Sequence, residues 1–315
     1  MSGSQHVIVG AGPIGSQTAR LLSESGVEVQ VVTRSGSGPT LPGVTLVRAD
    51  ASDSARLAEI TNGAEVIYNC ANPPYHQWAS QWPPLAASLL AAAERHNAVL
   101  VTASNLYGYG RVSAPMTEAT ALNPVGTKGQ IRTQMWRDAL AAHEAGRVRV
   151  TEVRAADYVG RDSQSHLGDR VVPRVLAGKA VRVLGNADQP HSWSYVDDVA
   201  TLLVTVGRDE RAWGRPWHVP SNAPRTQREA INDLARVAGV PAVKVGVMPT
   251  WVLSALGLFN PTIRELGEVG YQTELPFILD SSAAESTFGL TPTPWEDVMS
   301  AIVDYYRSLS GQAAA

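Results

Sequence analysis

The chain has 315 residues, of which 44% are hydrophobic and 17% charged, with a formal net charge of -3. This is the balance of a soluble globular protein with room for one large α/β domain or two ordinary ones, and without the electrostatic footprint of a nucleic-acid or anionic-membrane binder. The single cysteine, Cys70, excludes an intrachain disulfide and a cysteine-built zinc site and fits a reducing, cytoplasmic setting.

Met1 to Gln5 is short and polar, without the basic and apolar regions of a signal peptide. Periodicity then predicts a strand over His6 to Gly10, a helix over Pro13 to Ser25 and a β-branched strand over Val27 to Thr33. The pattern repeats with a strand at Thr45 to Val47, a helix from Asp53 to Ile60 and a strand at Glu65 to Asn69. A helix from Trp82 to His96 and a strand at Ala98 to Thr102 follow. A long helix is expected from Gly126 to Ala145, where Ile131, Met135, Trp136, Ala139 and Leu140 form one apolar stripe, the pattern of a core-facing surface. Val148 to Val153 reads as the next strand. This alternation predicts an α/β fold, a Rossmann-type doubly wound parallel sheet.

Past residue 155 the rhythm loosens, with a strand at Ala180 to Leu184 and helices near Val196 to Val206 and Thr226 to Ala238. Residues 1–155 read as the dinucleotide-binding core. Residues 156–315 read mostly as a smaller C-terminal lobe, with segments around 190–210 returning to the core. Val247 to Phe259 is mostly apolar but is broken by Pro249 and Gly257 and falls short of the ~20 residues that span a bilayer. It reads as a buried or pocket-lining helix. The small-residue tail Gly311 to Ala315 reads as disordered.

Gly10-Ala11-Gly12-Pro13-Ile14-Gly15 is G-x-G-x-x-G between a strand and a helix, the context in which glycines let backbone amides approach a pyrophosphate at the positive helix end. Pro13 suits a first helical turn. The second strand ends in Thr33-Arg34-Ser35, where an acidic residue would accept from ribose hydroxyls. A guanidinium flanked by hydroxyls suits a 2′-phosphate instead, so NADP is favoured over NAD. After the third strand, Asp50 and Ala51 lie where a carboxylate accepts from the adenine amino group, and Asp53 suits a helix cap.

These residues resemble the extended and atypical short-chain dehydrogenases/reductases, the NAD-dependent epimerase/dehydratase group. The marks are the glycine turn, the Asp50 segment, Cys70-Ala71-Asn72-Pro73-Pro74 and Asn105-Leu106-Tyr107-Gly108. Further on come Arg154-Ala155-Ala156-Asp157-Tyr158-Val159-Gly160 and Ser194-Tyr195-Val196-Asp197-Asp198-Val199-Ala200. The resemblance covers most of the chain and implies a dinucleotide held by the first half, Cys70, Ala71 and Asn72 along it, a nicotinamide end touched by Tyr158, and a second lobe that binds substrate. It also implies pairing of two copies through the helices at Trp82 to His96 and Gly126 to Ala145.

The family pattern of Tyr-x-x-x-Lys falls on Lys128 and Arg132, and its Ser or Thr falls on Ala103, flanked by Thr102 and Ser104. The usual proton-transfer machinery is therefore missing or rebuilt. An ammonium responds to positive surroundings much as a phenol does, which makes Lys128 a proton-donor candidate with Tyr107 and Ser104 beside it. Arg132 keeps its proton and suits ribose hydroxyls or positive potential. Alternatively, both cations belong to the solvated face of a helix.

Tyr75, Trp78, Trp82, Tyr109, Asp157, His191 and Trp193 are the substrate candidates; their aromatic character suits a flat or apolar small molecule, or else simple packing. The seven histidines show no metal-ligand spacing. The functions that remain open are an NADP-dependent oxidoreductase acting on a small carbonyl, imine or enone, a non-redox epimerase, isomerase or dehydratase with retained cofactor, and an NADP-binding sensor or interaction protein.

Overall fold

Val7, Ile8, Val31, Ile67 and Val101 are fully buried or nearly so, because their strands lie inside a sheet covered on both faces and have no solvent side to alternate toward. The computed structural model describes residues 5–163, 165, 167–249, 265 and 267–312. Strands β1 (Gln5–Val9), β2 (Glu28–Thr33), β3 (Val44–Arg48), β4 (Ala64–Asn69), β5 (Val99–Asn105) and β6 (Arg149–Ala155) join a later strand, Pro216–His218, in one sheet.

With β7 (Asp157–Val159), β8 (Val181–Val183) and β9 (Trp193–Tyr195) counted in chain order, Pro216–His218 is β10 and Val245–Val247 is β11. The parallel seven-stranded sheet has the order β10-β6-β5-β4-β1-β2-β3. The strand order reverses at β1, between β4 and β2, and ligands of such sheets bind outside the carboxyl ends of the strands at this reversal. The expected doubly wound fold is the observed one.

The chain divides into two units. Unit 1 is Met1–Gly110, Thr120–Arg154 and Val199–Val219, and holds the large sheet. Unit 2 is Arg111–Ala119, Ala155–Asp198 and Pro220–Ala315. In unit 2, β8 pairs with β11 and β7 with β9, and a core that includes Val172, Val175, Ile231, Leu234, Val298 and Ile302 packs its helices together.

Helices α1 (Pro13–Glu24) and α2 (Ser54–Ile60) flank the first strands. Asp53 caps α2, its carboxylate accepting from the Ala55 and Arg56 amides. Helix α3 runs Trp78–His96, four residues earlier than expected, with Pro83 and Pro84 inside it. Each proline forgoes only one backbone donor, and the first turn is anchored by the buried Trp78, whose indole N–H donates to the Pro73 carbonyl at 2.8 Å. Asn97 ends α3 in the left-handed region at φ 51°.

Helix α4 (Gly126–Glu144) departs from its expected orientation. Its buried residues include Lys128, Arg132, Thr133 and Trp136, whereas Ile131, Met135 and Ala139 line a groove against α3. Of the expected stripe Trp136 is buried, whereas Ile131, Met135, Ala139 and Leu140 are half-buried, and the buried face is shared with the two cations. The buried cations are accommodated because aromatic rings cover them.

In unit 2, α5 (Val172–Leu176) precedes α6 (Val196–Arg208), which starts in unit 2 and ends in unit 1. Helices α7 (Gln227–Val237), α8 (Tyr271–Glu274), α9 (Ser282–Phe288) and α10 (Trp295–Gln312) follow. Thr226 and Glu229 form a capping box on α7. Of the apolar stretch Val247 to Phe259, Val247 closes β11, and Thr250 onward lies outside the described residues. Helix α10 continues through Gly311 and Gln312 of the tail expected to be disordered, and Ala313 to Ala315 lie outside the described residues. Among the described residues, no helix is long and apolar enough to cross a membrane.

Candidate dinucleotide and proton-transfer site

The turn from β1 into α1 shows why each glycine stands where it does. Gly10 has φ +101°, and a Cβ there would lie 2.6 Å from the Cys70 carbonyl oxygen. A Cβ on Gly15 would collide with the Gly10 carbonyl oxygen and approach the Cys70 Cβ at 3.2 Å. These two glycines allow strand and helix to pack. Gly12 differs: its φ of -68° suits any residue, and a Cβ there would meet nothing within 4 Å.

Gly12 is the N-cap of α1, Pro13 holds the first helical position, and no side chain caps the helix. A helix start with open space before it and no side-chain acceptor suits an anion. The turn therefore fits the diphosphate of a dinucleotide.

The neighbouring residues gather on the same carboxyl edge of the sheet in unit 1. At the end of β2, Thr33 donates its hydroxyl to the Ser37 carbonyl at 2.8 Å, the Ser35 and Ser37 hydroxyls meet at 2.6 Å, and Arg34 is exposed. Beyond β3, Asp50 accepts from the Ser52 amide and hydroxyl at 2.9 and 2.7 Å. Those two bonds, with help from Arg34, hold its carboxyl below the usual range; Ala51 beside it is buried. Past β4, the Asn69 side chain accepts from the Ala71 amide, and Asn72 is exposed. Burial pushes the Cys70 thiol up to about 12, which removes it as a nucleophile at neutral pH.

The proton-transfer candidates form one cluster with the aromatic residues that follow β4. Lys128 is 1% exposed and Arg132 6%, so the solvated-face alternative is overturned. The Arg132 guanidinium lies 4.8 Å from the Trp78 ring centre and 4.2 Å from that of Trp82. The Lys128 ammonium lies 5.5 Å from the Tyr75 ring centre. Tyr75 and Tyr107 join their hydroxyls at 2.6 Å, Trp78 packs edge-on against Tyr75 and stacks on Tyr107, and the Tyr107 amide donates to the Asn105 side chain at 3.1 Å.

Two pairs at i, i+4, Trp78/Trp82 on α3 and Lys128/Arg132 on α4, bring cations and rings together. Their matching spacing is the one signal of this packing that the sequence carries. Ser104 is 2% exposed and shares a face of β5 with Thr102, which lines the α3/α4 groove.

Tyr109 stands apart from this cluster. It is 1% exposed, and its hydroxyl lies 2.7 Å from His218 Nε2 and accepts from Arg154 at 2.7 Å. Arg154 in turn pairs with Glu152 at 3.0 Å, both side chains being buried. His218 and Glu152 went unnoticed in the sequence because nothing local marks a pairing across such separations.

Unit 2 holds Asp157, Tyr158, His191 and Trp193. Strand β7 pairs with β9 so that Asp157 faces Trp193 and Tyr158 faces Ser194 in register. His191 is 3% exposed, donates Nδ1–H to the Gln272 carbonyl at 3.1 Å and places Nε2 2.9 Å from Asp157 Oδ2. Its ring is tilted against Trp193 and stacks on Phe277, at centroid distances of 4.8 and 5.6 Å.

The remaining motif residues are anchors. The Ser194 hydroxyl accepts from the Ala156 amide, Gly160 at φ +136° lets the Tyr195 ring approach, and Asp198 receives the Thr293 amide and hydroxyl. Burial raises the Asp198 carboxyl, and the Thr293 bonds oppose that rise. Among the described residues, no group of three His, Cys, Asp or Glu side chains is arranged to hold a metal ion.

The model of the NAD dependent epimerase/dehydratase family matches residues 6–219. The UDP-glucose 4-epimerase of Thermotoga maritima, solved with UDP-glucose, superposes with a TM-score of 0.80 at 18% identity, covering 97% of this chain and 99% of its own. The dTDP-glucose 4,6-dehydratase DesIV of Streptomyces venezuelae, solved with NAD, has a TM-score of 0.77 at 20% identity over 98% of each chain. That of Bacillus anthracis, also with NAD, has 0.77 at 16% identity over 97% of each. At these identities the structures establish a shared fold. No curated protein matches the chain by sequence.

Proposed function

Because the chain is a member of the NAD dependent epimerase/dehydratase family, we propose that it is an NADP-dependent oxidoreductase acting on a small carbonyl, imine or enone. The observation that carries this reading is the uncapped start of α1 with open space at Gly12, which suits a diphosphate. Exposed Arg34, flanked by Thr33 and Ser35, supplies the charge-assisted donors that a 2′-phosphate takes. Asp50 is placed to accept from the adenine amino group, with Ala51, Cys70, Ala71 and Asn72 along the nucleotide.

Bound there, the nicotinamide supplies hydride transfer to or from a substrate carbon. The Lys128–Tyr107 cluster handles the accompanying proton, and Arg132 fixes the indole wall and adds positive potential. Because Trp78 and Trp82 are 2% and 0% exposed, the aromatic surface left for a substrate in unit 1 is chiefly that of half-buried Tyr75. Taken by itself, unit 2 offers Asp157, whose side chain is 21% exposed, and half-buried Tyr158 as the proposed ligand contacts, since His191 and Trp193 are each 3% exposed.

The test is titration calorimetry with NADPH and NADH on the wild type and on Arg34→Ala. The reading expects NADPH to bind more tightly and the preference to vanish in the variant; equal binding of both by both proteins overturns the NADP assignment. The family membership favours a second reading, an epimerase, isomerase or dehydratase with no net redox change. Turnover of a substrate without consumption of NADPH would select it.

We also propose that two copies pair through α3 and α4. Ala86, Leu90, Ile131, Met135 and Ala139 line an apolar groove of about 640 Å³ between these helices. It is bordered by exposed Pro83, Ala87 and Ala91, and a second copy would remove this surface from water.

A further inference from the structure

The position of Lys128 over a phenol, not beside open solvent, changes which group gives up the proton. We propose that Tyr75, brought in by the segment after β4, is the catalytic acid, and that Tyr107 and Lys128 are the residues that stabilise its phenolate. The family pattern places phenol and ammonium one turn apart on one helix. Here the ammonium comes from α4, and the phenol comes from the short 3₁₀ turn Tyr75–Gln77 ahead of α3.

Three observations converge on Tyr75. Its hydroxyl meets that of Tyr107 at 2.6 Å, so either phenol can donate to the other and a phenolate on one has the other's O–H within hydrogen-bond reach. The Lys128 ammonium, 1% exposed, lies 5.5 Å from the centre of its ring, where a positive charge favours the anionic form of the phenol. Finally, Tyr75 is half-buried whereas Tyr107 is 8% exposed, so Tyr75 is the member of the pair with access to an incoming molecule and Tyr107 stands behind it. Trp78, held by Arg132 and by its bond to Pro73, touches both rings and fixes their orientation.

In the proton step, the Tyr75 O–H bond breaks as an O–H bond forms on the substrate oxygen that is becoming an alkoxide. The bonding pair stays on the phenolic oxygen, where the Tyr107 hydroxyl donates to it and the Lys128 ammonium offsets its charge. Solvent returns the proton to Tyr75. This role rests on the nucleotide-dependent reading above, but the ionisation behind it belongs to the protein's own residues and is measurable without any substrate.

The test is an alkaline titration of tyrosinate ultraviolet absorbance on the full chain, wild type against Tyr75→Phe, Tyr107→Phe and Lys128→Met, with NADPH binding followed by fluorescence on the same samples. We expect one phenol in the wild type to ionise at least tenfold more readily, about one pH unit lower, than a free tyrosine of pKa ~10. This early step should be missing in Tyr75→Phe and shifted upward about tenfold in Tyr107→Phe, with NADPH binding unchanged in both. Lys128→Met should show the same upward shift. If Lys128→Met does not fold, the two phenylalanine variants decide alone. An early step that survives in Tyr75→Phe, or none in the wild type, overturns the proposal. An early step in a wild-type protein that ignores NADPH refutes the nucleotide reading and leaves the acidic phenol standing.

Discussion

The guanidinium of Arg132 sits 4.2 Å from the centre of the Trp82 indole and 4.8 Å from that of Trp78, in the corner made by two nearly perpendicular rings. A delocalised, weakly hydrated cation packs against indoles in a way that a compact, strongly hydrated ammonium does not. Arg132→Lys should therefore destabilise the protein by about 1–2 kcal/mol, read as a lower urea midpoint at unchanged m. A midpoint equal to the wild type would show that the rings do not hold the guanidinium.

In unit 2, the Gln272 carbonyl can only accept, so His191 Nδ1 carries a hydrogen. Nε2 lies 2.9 Å from an Asp157 oxygen. Asp157→Asn leaves the Nδ1 bond in place and should cost less than about 1 kcal/mol. His191→Leu removes the donor to the buried Gln272 carbonyl and should cost about 1–3 kcal/mol. Equal losses in urea unfolding would show that the Gln272 bond is not what His191 contributes.

Burial, with Arg208 adding to it, lowers the pKa of His6 from 6.5 to about 4. Nδ1 accepts from the Tyr68 hydroxyl at 3.2 Å, a bond that uses the neutral ring. The unfolded chain binds the proton first, so this contribution is complete above pH ~6.5 and is lost as pH falls toward about 4, amounting to about 3 kcal/mol. His6→Asn should flatten the pH dependence of unfolding in that window. A variant with the wild-type slope would assign acid sensitivity to other groups.

The order of strands and helices was readable because burial on both sheet faces leaves continuous β-branched runs, and because the Gly10 and Gly15 backbone demands are local. Helix α4 was not. Of its apolar stripe Ile131, Met135, Trp136, Ala139 and Leu140, Trp136 is buried, but Ile131, Met135 and Ala139 line the α3/α4 groove, while Lys128 and Arg132 are buried with Trp136. Hydrophobic periodicity finds an apolar face but not what covers it, and burying two cations depends on aromatic rings some fifty positions away in the chain, Tyr75 for Lys128 and Trp78 and Trp82 for Arg132. The hydroxyl of Tyr109 was equally opaque, since its partner His218 is 109 residues distant.

If that groove joins two copies, a charge placed in it must separate them. Met135→Glu should convert a dimer to a monomer in light scattering while far-ultraviolet circular dichroism stays the same, because a buried carboxylate without a partner costs several kcal/mol. A wild type that is monomeric at high concentration would refute the pairing.

The glycine turn offers the most direct measurement. Backbone geometry and packing give Gly12 no reason to be glycine, since its φ is ordinary and a Cβ would meet nothing within 4 Å; only an approaching ligand would. Calorimetric NADPH binding to Gly12→Ala, alongside its thermal unfolding, therefore isolates the ligand's demand. The account predicts a wild-type melting temperature with affinity reduced at least tenfold, about 1.4 kcal/mol. Unchanged affinity in a fully stable Gly12→Ala protein would contradict it.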